Sequence, residues 1–366
     1  MATVSLCMIV KNEEAVLRRC LDCVADIVDE IVVVDTGSVD KTKEIAESCR
    51  CRVFDYKWED DFAAARNFAF SKGTKDFLFW LDADDVMDEE NRRAFLEMKD
   101  QLDQSTDIVM LKYDTAFDES GRCIFSCCRE RLVKNDGSHK WQGAVHEAIP
   151  LAGNLLYKDI HIQHRKIKQG EPGRNLRIYE KLLEKKKELG PREQYYYARE
   201  LYDAGRWKDA AAVFQKFIEE PLGWMEDKIE ACRLLSLCFG RLGENKMQLE
   251  ALWNSFQYDV PRAEICCTLG SFFYEEQKYE QAAYWYERAL NCTREEKRGG
   301  FVQEDCYGYL PSLMLCVCYY RLGDREKSQW YHRLSGLYKP NGKEYLSNCQ
   351  FFPEEPIDAD GKTEIG

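Results

Sequence analysis

The chain has no apolar run long enough to cross a bilayer, and no signal-peptide pattern follows Met1. Both absences predict a soluble cytoplasmic protein without a membrane span. Excess positive charge is also lacking. Lys and Arg number 52 against 65 Asp and Glu, a net charge of −13, which excludes a general nucleic-acid binder that must neutralise phosphates. Histidine is scarce, five in 366 residues, yet His146, His161 and His164 crowd into one stretch. Cysteine is plentiful, but paired metal motifs are not. Cys20-Leu-Asp-Cys23 has no second C-x-x-C beside it and falls in an amphipathic helical pattern, which argues against a zinc or redox framework. Most of the 17 cysteines, among them Cys7, Cys232, Cys238, Cys316 and Cys318, lie inside apolar segments and read as small buried hydrophobes of a reducing compartment.

What is present divides into two halves of different periodicity, and the length suffices for about two domains. From Val4 to about Ile162, strand-like runs alternate with short helical ones. Val4–Val10, Glu30–Asp35, Cys51–Phe54 and the run from Phe77 read as strands. Glu13–Val24, Lys41–Ser48 and Phe62–Ser71 read as helices between them. That alternation predicts an α/β domain with a mostly parallel sheet. Ile108–Tyr113, Ile124–Cys128 and Arg131–Lys134 read as later, less regular strands. After Gln169-Gly-Glu-Pro-Gly173 the pattern becomes purely helical. Turn signals recur at Gly205, Gly243, Gln277 and Gly323 with a period of about 34 residues, the last step lengthened by a polar insert from Thr293 to Glu304. Helix–turn–helix units of that length must stack to bury their apolar faces, so this half is expected to be a tetratricopeptide-like all-α solenoid. The domain boundaries expected are 1–168 for the α/β domain, 169–190 for a linker helix, 191–345 for the repeats and 346–366 for a mobile polar tail.

The most informative stretch is Phe77-Leu-Phe-Trp-Leu-Asp82-Ala-Asp84-Asp85. An unbroken apolar run reads as a buried strand, and carboxylates at its exit stand where an α/β sheet presents ligands. Asp82 and Asp84, one small residue apart, can share a divalent ion that still has room for a diphosphate. The alternative is an acidic helix start running from Asp85 to Asn91.

Four segments occur in a fixed order: Met8-Ile-Val-Lys-Asn12-Glu-Glu14, Ile31-Val-Val-Val-Asp35-Thr-Gly-Ser38, Asp61-Phe-Ala-Ala-Ala-Arg66-Asn67 and Trp80-Leu-Asp82-Ala-Asp84-Asp85. Together they resemble the family-2 glycosyltransferases of GT-A fold, in a bacterial branch. With carboxy-terminal repeats added, the chain is similar to the peptide S-glycosyltransferases that modify glycocin bacteriocins. The resemblance implies a bacterial, cytoplasmic, inverting enzyme that moves a hexose or N-acetylhexosamine from a nucleotide sugar, UDP-linked, to a peptide side chain. Cysteine is the first acceptor and serine or threonine the next. Transfer to a lipid-linked or cell-surface glycan is the rival, sustained by the basic stretch Arg174–Lys187. A catalytically dead transferase serving as a peptide-binding scaffold is the second rival.

The resemblance also assigns residues. Val10, Asn12, Glu14, Asp35, Arg66, Asp82, Ala83 and Asp84 are expected to bind the nucleotide sugar, with Asp35 on the uracil ring. Asn12 and Glu14 can equally cap helices, and the alternative for Asp35 is a turn-initiating residue capping the next helix. Arg66, beside the small residues Ala63–Ala65, can meet a diphosphate or base carbonyl, or instead pair with Asp60 or Asp61. Asp82, Asp84 and His164 are the expected ligands of Mg²⁺ or Mn²⁺. The segment Arg131-Leu-Val-Lys134 with Trp141-Gln-Gly143-Ala-Val-His146-Glu147 resembles the acceptor side, giving Arg131, Trp141 and Gly143 that role. Glu147 is the first candidate for the catalytic base and His146 the second. Glu147 paired with Arg131, and Trp141 in the core, are the alternatives. In place of the family's I-x-H-x-G-Y, Arg165-Lys166-Ile167 follows His164. The repeat half is expected to dock an acceptor peptide or to mediate a homodimer.

Overall fold

The computed structural model describes residues 2–117, 121, 123–167, 171–185, 188–293 and 302–352. It divides into two compact units, Met1–Arg206 and Trp207–Gly366. The expected linker helix and the first helix of the expected repeat region therefore belong to the first unit. The expected tail beyond 352 and most of the polar insert lie outside the described residues.

In the first unit, β1 (Val4–Val10), β2 (Glu30–Asp35), β3 (Arg52–Asp55) and β4 (Phe77–Trp80) are parallel neighbours in the order β3-β2-β1-β4. Between them run α1 (Leu17–Asp22), α2 (Thr42–Ser48) and α3 (Phe62–Phe70). Alternation along the strands sorts their side chains to two faces. Phe77 and Phe79 pack with Leu6, Met8 and Val33, whereas Leu78 and Trp80 pack with Cys7, Val32 and Val34. Both faces are buried, which is why these strands read as continuous apolar runs. Ala63 and Ala65 on α3 are buried, so their smallness serves the close approach of this helix to the sheet.

The sheet continues with β5 (Asp85–Val86), β6 (Ile108–Phe117), β7 (Cys123–Lys134) and β8 (Leu155–His164), in the overall order β3-β2-β1-β4-β7-β6-β8-β5. The pairs β4·β7, β6·β7 and β5·β8 are antiparallel. The two strands expected within 124–134 are one. Arg129 and Glu130, which interrupt the apolar pattern, pair with each other, and the ladder to β6 runs through them. Asp85 does not open a helix. It pairs with His164 across β5·β8, and α4 (Glu89–Gln101) starts later, capped by Asp88 accepting from Asn91 N. Two further helices complete the unit, α5 (Arg174–Lys185) and α6 (Pro191–Asp203).

Among the described residues the second unit is helical: α7 (Trp207–Glu219), α8 (Met225–Leu242), α9 (Asn245–Asn254), α10 (Ala263–Glu275), α11 (Tyr279–Leu290), α12 (Tyr309–Leu322), α13 (Arg325–Tyr338) and α14 (Lys343–Cys349). Within the runs α7–α9 and α10–α14, each helix packs on the next. The cysteines behave as core residues here, with Cys266, Cys267 and Cys318 buried among Ala263, Ala282, Tyr286 and Leu315. Every turn position read from the sequence has positive φ: Gly205 73°, Gly243 77°, Gln277 59° and Gly323 83°. In each, the next residue's N–H reaches a carbonyl one turn and a half back, as in Glu244 N to Phe239 O at 2.9 Å and Lys278 N to Phe273 O at 2.8 Å. This is the Schellman closure of a helix.

Candidate active site

The carboxyl ends of β1, β2 and β4 meet at one edge because their registers align, Val10 opposite Asp35 and Cys7 opposite Trp80. A cleft of about 740 Å³ opens there, of a size that takes a cofactor or nucleotide-sized ligand. Val10, Asn12, Arg66, Asp82, Ala83, Asp84, His146, Glu147 and His164 line it.

Asp82 and Asp84 leave β4 in a tight turn, with Asp85 N donating to Asp82 O and Asp82 N to Asp85 Oδ2, both 3.0 Å. The β5·β8 pairing carries His164 alongside. Its Nδ1 lies 3.3 Å from Asp84 Oδ1 and 3.2 Å from Asp85 Oδ1, and Tyr113 Oη is 2.9 Å away. Burial works against a charged His164 ring, but Asp84 and Asp85 outweigh it and hold its pKa up to about 10. The ligand atoms of Asp82, Asp85 and His164 lie within 4.8 Å of one another. Two or three oxygens and one imidazole suit Mg²⁺ or Mn²⁺, so the donor set fits such an ion. Asp85 is already engaged: fully buried, it bonds Arg131 Nη1 at 3.1 Å and accepts from Tyr113 Oη at 3.0 Å. Asp84, outside that group of three, contacts His164 and lines the cleft.

Arg66 lies on α3, 8% exposed, between the Trp80 and Trp141 rings. Its Nη2 donates to Asp82 Oδ1 and its Nε to Glu147 Oε1, each 2.7 Å. Neither expected surface partner is used, since Asp61 caps α3 and Asp60 takes Lys181 and Trp58. Burial opposes ionisation of Asp82, but Arg66 and Arg131 prevail and hold its carboxyl down to about 2. Arg66 Nη1 is buried without a partner among the described residues. Asp35 closes the turn that follows β2 and is not among the residues lining the cleft. Its Oδ1 accepts from Gly37 N and Ser38 N at 2.9 Å, while its Oδ2 is buried and unpartnered among the described residues.

Several expected residues sit elsewhere. Glu14 accepts from Lys41 N at the start of α2 and does not line the cleft. Asn12 lines it, yet its side chain accepts from Val39 N, tying the exits of β1 and β2 together. Arg131 is fully buried beneath the Asp82–Asp85 turn, between the Trp80 and Tyr113 rings at 3.8 and 4.0 Å, and bonds Asp85 and Trp80 O. It neither pairs with Glu147 nor reaches the cleft, because a guanidinium is what neutralises buried Asp85. Trp141 is core, 3% exposed, against Trp80 and Phe70. Gly143, at φ 92°, gives the 142–148 loop its sharp turn, and Gln142 and Ala148 close that loop by reciprocal backbone bonds. His161 pairs with Asp114 and Asp159 away from the cleft. Cys20 and Cys23 pack beneath the acidic turn as free thiols, Cys20 Sγ donating to Asp82 O at 3.4 Å.

Sequence reading missed Tyr113, Asn67 and Arg129. Asn67 clamps the 142–148 loop by bonds to both Trp141 O and Trp141 N, and Arg129 lines the cleft. Each comes from a strand or helix whose local pattern gives no sign of its distant partner. The basic stretch 174–187 also has another use. Arg174, Asn175 and Arg177 line the cleft, and Lys181 pairs with Asp60. Lys186 and Lys187 lie outside the described residues. No helix among the described residues is long and apolar enough to cross a membrane.

Residues 5–150 match the model of Glycosyl transferase family 2. A TPR repeat-containing protein of Synechococcus elongatus is 40% identical over 151 residues, 41% of this chain and 36% of that protein. The SPbeta prophage-derived glycosyltransferase SunS of Bacillus subtilis is 26% identical over 277 residues, 71% of this chain and 64% of SunS. The chain thus spans between about a third and two-thirds of the length of these curated relatives. Among solved structures, glucosyl-3-phosphoglycerate synthase from Mycobacterium tuberculosis, in complex with Mn²⁺, UDP-glucose and phosphoglyceric acid, aligns at a TM-score of 0.27 and 21% identity. The alignment covers 31% of this chain and 44% of that one.

Proposed function

We propose that this protein, whose residues 5–150 match the model of glycosyl transferase family 2, transfers a hexose or N-acetylhexosamine from a UDP-sugar to a cysteine side chain of a peptide, with inversion. One observation carries the reading: Asp82, Asp84 and His164 converge at the edge of a cleft that also holds Arg66 and Glu147. Asp84 and His164, with Asp82, would hold Mg²⁺ or Mn²⁺. A bound ion there supplies Lewis-acid neutralisation of the diphosphate as it departs. Asp35 Oδ2 offers a buried acceptor for a uracil N–H, and Arg66 Nη1 a buried donor for the sugar nucleotide. Arg66 fixes Glu147 and Asp82 at once, so acceptor side and donor side are registered by one guanidinium.

The cysteine preference rests on the resemblance to the peptide S-glycosyltransferases and on chemistry, since a thiol ionises near pH 8.5 and needs less help than a hydroxyl. The repeat unit is the proposed dock for the acceptor peptide. The test is mass spectrometry of matched peptides carrying one cysteine or one serine, incubated with the protein, Mn²⁺ and a UDP-sugar panel. A sugar added to the cysteine peptide is expected. Modification of the serine peptide alone would overturn the thiol assignment.

A further inference from the structure

We propose that Glu200 is the positioning residue of a His146–Glu200 pair in which His146 takes the acceptor's proton. The inference rests on the transferase reading above and adds a residue outside the part of the chain that matches the family. His146 lines the cleft next to Glu147, and its backbone is left-handed, φ 52°, a conformation few side chains adopt unless their surroundings impose it. Three contacts impose it here. Arg192 Nε and Nη2 donate to His146 O at 3.2 and 3.1 Å. The imidazole stacks on Tyr196, centroids 4.2 Å apart at 14°. Its Nε2 lies 2.8 Å from Glu200 Oε1, an oxygen that also accepts from Asn175 Nδ2 at 3.0 Å.

Burial opposes a charged Glu200, but the bonds from His146 and Asn175 prevail and hold its carboxyl below the usual range. An ionised Glu200 makes Nε2 the protonated nitrogen and leaves the Nδ1 lone pair to accept a proton. Glu147 is less suited to that task. Its Oε1 is bound to Arg66, which ties it to Asp82, and proton uptake would weaken that bridge.

In the step, the acceptor's sulfur or oxygen bonds the anomeric carbon and the carbon–oxygen bond to the diphosphate breaks. The electron pair leaves with the nucleoside diphosphate, and the acceptor's proton goes to His146 Nδ1 and then to solvent. The imidazolium so formed is stabilised by Glu200. The charged and titratable groups around the ring are Glu200, Glu147 and Asp203, with Tyr196 stacked on it, Arg192 on its carbonyl and Arg199 over Tyr196.

The experiment is the pH profile of UDP-glucose and UDP-N-acetylglucosamine hydrolysis, water serving as acceptor, in wild type, Glu200→Gln and Glu200→Asp. A second readout is nitrogen-15 NMR of the His146 ring. Glu200→Gln should lower the plateau about tenfold or more and move the acidic limb down by about one pH unit, because the imidazolium loses its counter-charge. Glu200→Asp should restore part of both, and the wild-type ring should carry its proton on Nε2. A Glu200→Gln profile superimposable on wild type overturns the inference. So does a uniform loss with an unmoved limb, which marks a merely structural contact. If wild type consumes neither donor while binding Mn²⁺, the transferase reading itself falls, and this inference with it.

Discussion

Arg131 and Asp85 form a fully buried ion pair, and the turn that carries Asp82 and Asp84 is bonded to Asp85. Removing the guanidinium leaves a buried carboxylate uncompensated. Arg131→Met is therefore expected to destabilise the first unit by about 3–5 kcal/mol in urea unfolding. A variant as stable as wild type but weakened toward acceptor would restore the acceptor role that its sequence context suggested. His164 makes a second residue-scale prediction. Its pKa is raised from 6.5 to about 10 without metal, so its pairing with Asp84 and Asp85 contributes fully below pH 6.5 and is lost as pH rises through about 10. In EDTA, Tm should fall over that window in wild type and stay flatter in His164→Gln; identical profiles would contradict the pairing. A metal must displace the same proton, so Mn²⁺ should bind more tightly as pH rises. The place of Asp82 and Asp84 at a strand exit was legible in the sequence because the unbroken apolar run before them marks a buried strand. The inward position of Arg131 was not, since a strand arginine gives no sign of which face it takes until its partner is known.

Among the elements, the repeat turns were the most legible. A helix closed by a left-handed residue leaves a short-range signature, and Gly205, Gly243, Gln277 and Gly323 all carry it. Gln277 is the exception in residue type, a side chain in a backbone conformation that suits glycine. Gln277→Gly is expected to stabilise the repeat unit by roughly 0.5–1 kcal/mol, and Gly243→Ala to cost about 1 kcal/mol. Added methyl atoms at Gly243 would meet open space, so that cost is backbone alone. Thermal unfolding of the two variants checks the pair, and shifts of the opposite sign would contradict the turn assignment. By contrast β5 spans only Asp85–Val86 and exists because β8 lies beside it. A two-residue strand has no pattern of its own, which is why the acidic turn resembled a helix start.

At the scale of the whole molecule, the described residues that line the cleft fall within Met1–Arg206, with α5 supplying part of its wall. UDP with Mn²⁺ should accordingly slow amide exchange at the exits of β1, β2 and β4 and in the first turn of α5. The helices from α7 onward should exchange at unchanged rates, and protection centred on α10 and α11 would contradict the placement of the donor site. The change from alternating to helical periodicity was readable as two kinds of architecture. The division at Arg206 was not, because α6 has the composition of a repeat helix while its Glu200 binds the 142–148 loop. Cleavage of a nucleotide sugar is expected to depend on a metal held by Asp84 and His164. Its most direct test is release of free nucleoside diphosphate from a panel of UDP- and GDP-sugars, with Mn²⁺ or Mg²⁺, with EDTA, and in Asp84→Asn. Release from one donor, lost in EDTA and in Asp84→Asn while the variant stays folded, is the predicted result. Undiminished release in EDTA or in the variant would contradict it.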